Sequence, residues 1–259
     1  MCRMDISIAT WAILVGGSVF AGWIDGVIGG GGLVVLPMFM AVFPSMVPAT
    51  ALSTSKFISF WGTVASAFTL SRKVKLDWKE VGRLFLVAVV AGGLGAAAAA
   101  AMSEEIMRPL IIVLLLAVGT FVALKKDFGG GESEGIHSGW RAVAALVAAA
   151  AIAFYDGIFG PGTGMFLVIA FTAIFSQNFV RSSAMAKVVN SATNLGGLIV
   201  FIAGGYMAWG VGIVLAIASA VGSMLGARTV LGGGTKLVRY ALLTLVVVLC
   251  IYLSWQQWG

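Results

Sequence analysis

The sequence contains few charged residues, two cysteines and one histidine. Only 10% of the 259 residues are charged, whereas 60% are hydrophobic and the mean hydropathy is +1.06, which excludes a soluble globular protein. Cys2 and Cys250 provide neither the spacing of a metal site nor a disulfide framework. His137 lies in a linker rich in glycine and acidic residues. The sequence therefore predicts no metal site.

The formal net charge is +6, which in a soluble chain would suggest a nucleic-acid partner. In a chain this apolar, basic residues first indicate which connections face the cytoplasm. Four of them crowd one connection: Arg72, Lys73, Lys75 and Lys79. We therefore expect this connection to be cytoplasmic, and we expect no nucleic acid among the partners.

Long apolar runs fill most of the chain and predict an all-α polytopic integral membrane protein. A run of about 20 apolar residues spans a bilayer as a helix. The runs that fit one span lie at residues 80–101, 106–124, 210–229 and 236–254, with two more at 49–70 and 181–203. Two further stretches, 8–43 and 140–175, are too long for one span, and each is cut by a glycine cluster. Each of these should form two shorter helices or a hairpin of half-helices.

The glycine clusters interrupt apolar segments in which a helix should be continuous. The first runs from Gly26 to Gly32 after Asp25, and the second runs from Gly157 to Gly164 after Asp156. Irregular backbone at membrane depth persists only where it is buried in protein or lines a watery cavity, because lipid cannot satisfy its polar groups. Paired breaks of this kind indicate the substrate site of a transporter.

The same glycines have other interpretations. Gly22, Gly26 and Gly30 have the spacing of small residues at a helix interface, which favours plain close packing. A dinucleotide fingerprint is excluded because no strand–turn–helix context surrounds the clusters, so no cofactor is predicted. Free backbone N–H groups at a helix start bind anions well, since the helix dipole also favours negative charge. On this interpretation the breaks contribute four anion-binding residues: Gly30, Gly31, Gly162 and Thr163.

Residues of the first half recur 131 positions later in the second half without a gap. The matched residues are Asp25 and Asp156, Lys56 and Lys187, Trp78 and Trp209, Gly95 and Gly226, and Arg108 and Arg239. Rare residue types do not match by chance in one gapless register, so the chain holds two copies of one unit. We divide it into a first transmembrane repeat at 1–124, a linker at 125–139 and a second transmembrane repeat at 140–259.

The two copies should have opposite orientations in the membrane. Each copy holds an odd number of membrane segments or spans, so the second copy must enter the membrane inverted. The charges agree, because basic residues crowd the Arg72–Lys79 connection whereas the matching Gly204–Gly210 connection has none. Inverted repeats place a pseudo-two-fold axis in the membrane plane, with a site near its midpoint.

Asp25 and Asp156 are the acidic residues at the two breaks. A carboxylate is costly in hydrocarbon, so its presence there indicates function. Capping of a broken helix is one interpretation, since a carboxylate accepts hydrogen bonds from free N–H groups. Proton carrying and pairing with a lysine are the others, and the sequence leaves them open.

Lys56 and Lys187 lie about seven residues into their helices, hence about 10 Å deep at 1.5 Å per residue. An alternative is that each stem snorkels and brings its ammonium to the membrane surface. Polar residues at spacings of three and four share a helix face with each lysine. They include Ser59 and Thr63 in the first copy, and Asn190 and Asn194 in the second. Two donor-rich faces that each carry a buried cation suit a small anion.

Several motifs match those of a known transporter family. They are Gly22–Gly32, reading GWIDGVIGGGG, Ala49–Lys56, reading ATALSTSK, Val74–Trp78, reading VKLDW, Tyr155–Gly164, reading YDGIFGPGTG, Ala186–Asn190, reading AKVVN, and Gly222–Arg228, reading GSMLGAR. By these motifs the chain resembles the TauE/SafE family of sulfite exporters and related anion permeases over nearly its whole length. The resemblance implies movement of sulfite, sulfonates or other sulfur-containing anions across the bacterial cytoplasmic membrane.

We therefore expect a secondary transporter, not an enzyme, that moves sulfite or a related small sulfur-containing anion by alternating access. Asp25 and Asp156 offer a route to proton coupling. An anion channel is the alternative and would need a continuous polar path. An intramembrane enzyme is a second alternative and would need a nucleophile, a metal cluster or an acid pair on a substrate path. The expected partners are the anion and the lipid bilayer, and a homodimer is left open.

Overall fold

The computed structural model describes residues 7–124 and 139–232, which form helices joined by short connections. The helices are α1 (Ile8–Ile28), α2 (Gly32–Val42), α3 (Pro48–Ser71), α4 (Trp78–Ala100), α5 (Glu104–Leu124), α6 (Gly139–Ile158), α7 (Thr163–Phe175), α8 (Phe179–Ala203) and α9 (Trp209–Leu231). No strand occurs within these two ranges. The prediction of an all-α protein is confirmed.

Five of the described helices, α1, α4, α6, α8 and α9, are long and apolar enough to cross a membrane, by length and composition. The chain is a multi-pass membrane protein. By contrast, α2 and α7 have only 11 and 13 residues, and each follows a long helix. The apolar stretches at 8–43 and 140–175 thus divide in two, as predicted. The helix predicted at 236–254 lies outside the described residues.

Local sequence determines where several helices begin. Asp77 accepts a hydrogen bond from the Lys79 backbone N–H at 3.0 Å and caps α4. Asn178 caps α8 in the same way, by accepting from the Arg181 backbone N–H at 2.9 Å. Pro48 opens α3, where its missing N–H costs no helical hydrogen bond. These caps satisfy donors that a helix start leaves free.

Helices of the second half begin in register with those of the first half. α6 begins 131 positions after α1, and the same separation holds between α7 and α2, α8 and α3, and α9 and α4. The two halves therefore carry the same succession of helices. The linker predicted at 125–139 lies outside the described residues except for Gly139, where α6 begins.

Glycines allow helices of different copies to pack closely. Gly26 of α1 lies against Gly226 of α9, and a Cβ added to Gly26 would lie 2.9 Å from the Gly226 Cα. At the matching place, a Cβ added to Gly157 of α6 would lie 2.7 Å from the Cα of Gly95 in α4. Carbon atoms do not approach so closely without repulsion, so these positions need glycine. Close packing, one of the predicted roles for the glycines, thus applies to Gly26.

Candidate functional site

Two buried ion pairs join the two copies inside the helix bundle. The Lys56 ammonium lies 3.0 Å from Asp156 Oδ2, and the Lys187 ammonium lies 3.1 Å from Asp25 Oδ2. Each ammonium also donates to the backbone carbonyl oxygen of the same aspartate. The four side chains are at most 7% exposed. The lysine of each copy pairs with the aspartate of the other, so the pairs are crossed.

Both lysines end inside the protein, so the snorkelling alternative is wrong. Charges buried away from water have to be paired, because desolvation of an isolated ion is costly. The two pairs contain equal numbers of positive and negative groups, so this region is formally neutral. An anion that binds here therefore has to compete with an aspartate for a lysine.

Asp25 also caps the first break. The Gly31 backbone N–H donates to Asp25 Oδ1 at 3.4 Å, while Asp25 Oδ2 pairs with Lys187. Pairing and capping, which the sequence offered as alternatives, are thus both present at this carboxylate. One side chain fixes the position of the break and of the cation.

The helix breaks are shorter than the glycine clusters that predicted them. α1 and α6 continue through Gly26 and Gly157, so these two glycines are helical. The backbone becomes left-handed at Gly29, with φ of 82°, and at Gly160 and Gly162, with φ of 99° and 87°. Residues with a Cβ rarely adopt this conformation, so glycine is required at each turn.

The two breaks contact each other and the Lys56–Asp156 pair. A Cβ added to Gly29 would lie 2.6 Å from the Gly164 Cα, so the breaks meet backbone against backbone. A Cβ added to Gly160 would lie 3.3 Å from Lys56 Nζ and 3.4 Å from Asp156 Oδ1. Gly160 therefore brings bare backbone against the ion pair.

A cavity of about 20 Å³ lies between the two breaks, α3 and α8. Six of the predicted site residues line it: Asp25, Lys56, Ser59, Asp156, Asn190 and Asn194. The polar faces of α3 and α8 and the two breaks thus converge on one space, although they are distant in sequence.

The other predicted site residues do not line this cavity. The Thr63 hydroxyl donates to the Ser59 carbonyl oxygen at 2.9 Å, and the Thr163 hydroxyl donates to the Gly160 carbonyl oxygen at 2.7 Å. Both hydroxyls are therefore occupied by nearby backbone. The remaining four predicted site residues that do not line the cavity are Gly30, Gly31, Gly162 and Lys187.

Sequence reasoning did not select Ser55, Phe159 or Pro161, which also line the cavity. Ser55 lies one helical turn before Ser59, so helical spacing could have found it. Phe159 and Pro161 occupy the second break itself. The glycines beside them directed the prediction toward backbone donors and away from these two side chains.

The cavity is too small for an anion with several non-hydrogen atoms. About 10 to 15 Å³ is needed to hold one water molecule, so a cavity of about 20 Å³ holds a ligand of about that size. An oxyanion of sulfur can enter only if the surrounding helices or breaks separate. The space beside Lys56 is therefore narrow in this structure.

A family model and relatives from several bacteria match this chain. The model described as Sulfite exporter TauE/SafE matches residues 14–253. The probable membrane transporter protein YfcA of Escherichia coli (strain K12) is 30% identical over 242 residues, which cover 93% of this chain and 88% of that protein. A probable membrane transporter protein of Haemophilus influenzae is 30% identical over 236 residues, 91% of each chain. The probable membrane transporter protein ORF9 of Sinorhizobium sp is 28% identical over 250 residues, which cover 96% and 94%. No solved structure matches the chain.

Proposed function

Because the chain belongs to the sulfite exporter TauE/SafE family, we propose that it is a secondary transporter for sulfite or a related small sulfur-containing anion. It moves this anion across the cytoplasmic membrane by alternating access. The family and the relatives are membrane transporters, so the activity is transport and not an enzymatic reaction. The arrangement of the buried ion pairs supports the choice of an anion.

The crossing of the ion pairs is the observation that carries the proposal. Lys56 belongs to α3 of the first copy, whereas Asp156 lies at the end of α6 in the second copy. An anion that replaces the Asp156 carboxylate beside Lys56 removes a bond between the copies. A ligand shifts a conformational equilibrium only if it binds the two states differently. In the proposed closed state, Asp156 occupies Lys56. The anion therefore favours the state in which the two copies have separated.

A proton provides a way to release the lysine. Protonation of Asp156 removes its negative charge and so weakens its attraction for the Lys56 ammonium. The lysine can then hold an anion without the negative charge of Asp156 beside it. Proton and anion therefore bind together, and the expected mode is symport of the two in one direction.

Helix directions support the inverted repeat on which alternating access depends. Ser53, near the start of α3, lies with its hydroxyl 3.6 Å from the sulfur of Met207, just beyond the end of α8. Further along α3, the Lys56 stem lies against Gly197, earlier in α8. A later position in α3 thus contacts an earlier position in α8, so these two matching helices are antiparallel. Equivalent movements of the two copies can then open the site to either side.

The closed cavity argues against a channel, which needs a continuous polar path. The space beside Lys56 is only about 20 Å³, and Phe159 and Pro161 form part of its boundary. A carrier passes through such a closed state between its two open states.

Uptake of labelled sulfite by proteoliposomes tests the proposal. Vesicles with the purified protein should accumulate sulfite faster than protein-free vesicles, and an imposed inward proton gradient should increase the difference. Protein-free vesicles under the same gradient correct for passive trapping. Uptake equal to that of protein-free vesicles would reject the transport function. Saturable uptake that does not depend on the proton gradient would reject only the coupling to protons.

A further inference from the structure

The two ion pairs occupy matching positions but have different surroundings. The cavity is lined by Lys56 and by both aspartates, Asp25 and Asp156, whereas Lys187 does not line it. The Lys187 side chain is 0% exposed, and its ammonium is bonded to the carboxylate and the carbonyl oxygen of Asp25. Of the two paired lysines, only Lys56 therefore lines this cavity.

The residue beside the Lys56 stem also differs between the copies. A Cβ added to Gly197 would lie 2.9 Å from Lys56 Cδ, so the glycine makes room for the stem along α8. The matching position in the first copy holds Ser66, whose hydroxyl donates to the Gly62 carbonyl oxygen at 3.2 Å. Glycine thus leaves space beside the stem of Lys56, which is the lysine that lines the cavity.

The Asn190 side chain adds hydrogen-bond donors to the cavity that Lys56 lines. Its Oδ1 accepts hydrogen bonds from the Thr193 hydroxyl at 3.1 Å and from the Asn194 amide nitrogen at 3.4 Å, and both donors also donate to the Asn190 backbone carbonyl oxygen at 2.8 Å. The amide nitrogen, with two N–H donors, is the part left for other partners. A Cβ added to Gly164 would lie 3.2 Å from this nitrogen, and both Asn190 and Gly164 line the cavity. The matching residue of the first copy, Ser59, offers one hydroxyl hydrogen instead.

We propose that the anion binds at only one of the two pairs. It replaces the Asp156 carboxylate beside Lys56 and accepts hydrogen bonds from the Asn190 amide. The Lys187–Asp25 pair stays intact while the anion is bound. This inference rests on the proposed anion transport and assigns it to one side of the site.

The hydrogen-bond donors of Lys56 and Asn190 determine which ligands bind beside this ion pair. An ammonium and an amide nitrogen only donate hydrogen bonds, so they favour an oxyanion over a ligand that itself donates. Thr193 and Asn194 are positioning residues, because they hold the Asn190 oxygen and so direct its nitrogen. Neither has to touch the anion for this effect.

Asn190→Leu tests the amide, since leucine has a similar size and no polar atoms. Loss of hydrogen bonds to a charged ligand should raise the KM for labelled sulfite roughly tenfold to a hundredfold in proteoliposomes. Ser191→Ala is the matched control. Its hydroxyl donates to the Val188 carbonyl oxygen at 2.7 Å and lies next to Asn190 in sequence but outside the cavity lining. This variant should keep the wild-type KM.

Thr193→Val tests the positioning role. Valine has nearly the shape of threonine but cannot donate to the Asn190 oxygen, so the KM for sulfite should rise while the maximal rate is retained. Thr193→Ser keeps a hydroxyl and should restore the KM. A merely structural role for Thr193 would instead lower the amount of folded protein and leave the KM unchanged.

Removal of each ion pair as a whole tests the asymmetry. One double variant combines Lys56→Met with Asp156→Asn, and the other combines Lys187→Met with Asp25→Asn. Each removes a cation and an anion together, so no buried charge is left unpaired. The first should lose saturable sulfite uptake. The second should lose much less of it.

The outcomes separate this inference from the transport function. Equal KM values in Asn190→Leu and Ser191→Ala, or equal loss of uptake in both double variants, would overturn the one-sided site while wild-type uptake upholds transport. Absence of sulfite uptake by the wild-type protein would overturn the transport function and the inference together. If a double variant does not fold, the single variants at Asn190 and Thr193 decide the matter.

Discussion

The Lys56 ammonium lies 3.0 Å from the carboxylate of Asp156, a residue 100 positions later in the chain and in the other copy. The matching pair joins Lys187 to Asp25. Removal of one partner of a buried ion pair costs about 3 to 5 kcal/mol, because the other charge remains unpaired. In the proposed function, substrate binding, protonation and separation of the copies therefore act on the same bonds.

Replacement of Lys56 by arginine should give sulfite transport between that of the wild type and that of Lys56→Met. Guanidinium keeps the positive charge, but it is a planar fork rather than a compact charge. It must also fit where the lysine stem lies against Gly197. Initial rates of sulfite uptake by proteoliposomes measure the effect. A wild-type rate in Lys56→Arg would show that the shape of the cation is unimportant.

Asp156→Asn should uncouple sulfite transport from protons. Asparagine keeps the size of aspartate but has no charge, so Lys56 stays available to an anion whatever the pH. We expect retained sulfite binding and loss of the increase in uptake that a proton gradient causes. Asp25→Asn should affect the gradient response less, because its partner Lys187 does not line the cavity. An unchanged gradient response in both variants would leave the carboxylates with pairing and capping alone.

Gly157→Ala should destabilise the contact between α6 and α4. The added Cβ would lie 2.7 Å from the Gly95 Cα and 2.6 Å from the Ala96 backbone nitrogen, and backbone cannot move aside cheaply. Overpacking of this kind costs about 1 to 3 kcal/mol, so the thermal unfolding midpoint in detergent should fall. Gly82→Ala in α4 is the control, since a Cβ there meets no atom within 4 Å. Equal midpoints in the two variants would refute the packing role of Gly157.

The connections before α4 and before α9 should lie on opposite sides of the membrane. Single cysteines at Lys73 and Gly210, in a background with Cys2 and Cys250 replaced by serine, can test this. Both residues are exposed: Lys73 lies in the connection before α4, and Gly210 is the second residue of α9. A membrane-impermeant thiol reagent should label one position from outside the cell and the other only after permeabilisation. Labelling of both from the same side would contradict the inverted repeat.

Helix positions could be predicted from the sequence because apolar runs and glycine clusters mark them directly. The run predicted at 80–101 is α4 at Trp78–Ala100, and the run predicted at 181–203 is α8 at Phe179–Ala203. The convergence of the α3 and α8 polar faces could also be anticipated, because helical spacing places Ser59 and Asn190 beside the lysines.

The partners of the buried charges could not be predicted in this way. Two lysines and two aspartates allow pairing within a copy or between copies, and only the three-dimensional packing of the helices decides it. The lining glycines were missed by one or two positions. The backbone becomes left-handed at Gly29, Gly160 and Gly162, and a run of glycines does not specify which of them will turn.

Sulfite affinity measured by calorimetry on the purified wild type and Lys56→Met tests the central claim most directly. Methionine keeps an apolar stem and removes the charge, so sulfite should bind roughly tenfold to a hundredfold more weakly. Lys73→Met removes an exposed positive charge from a connection and should keep the wild-type affinity. Wild-type affinity in Lys56→Met would contradict the claim that this lysine holds the transported anion.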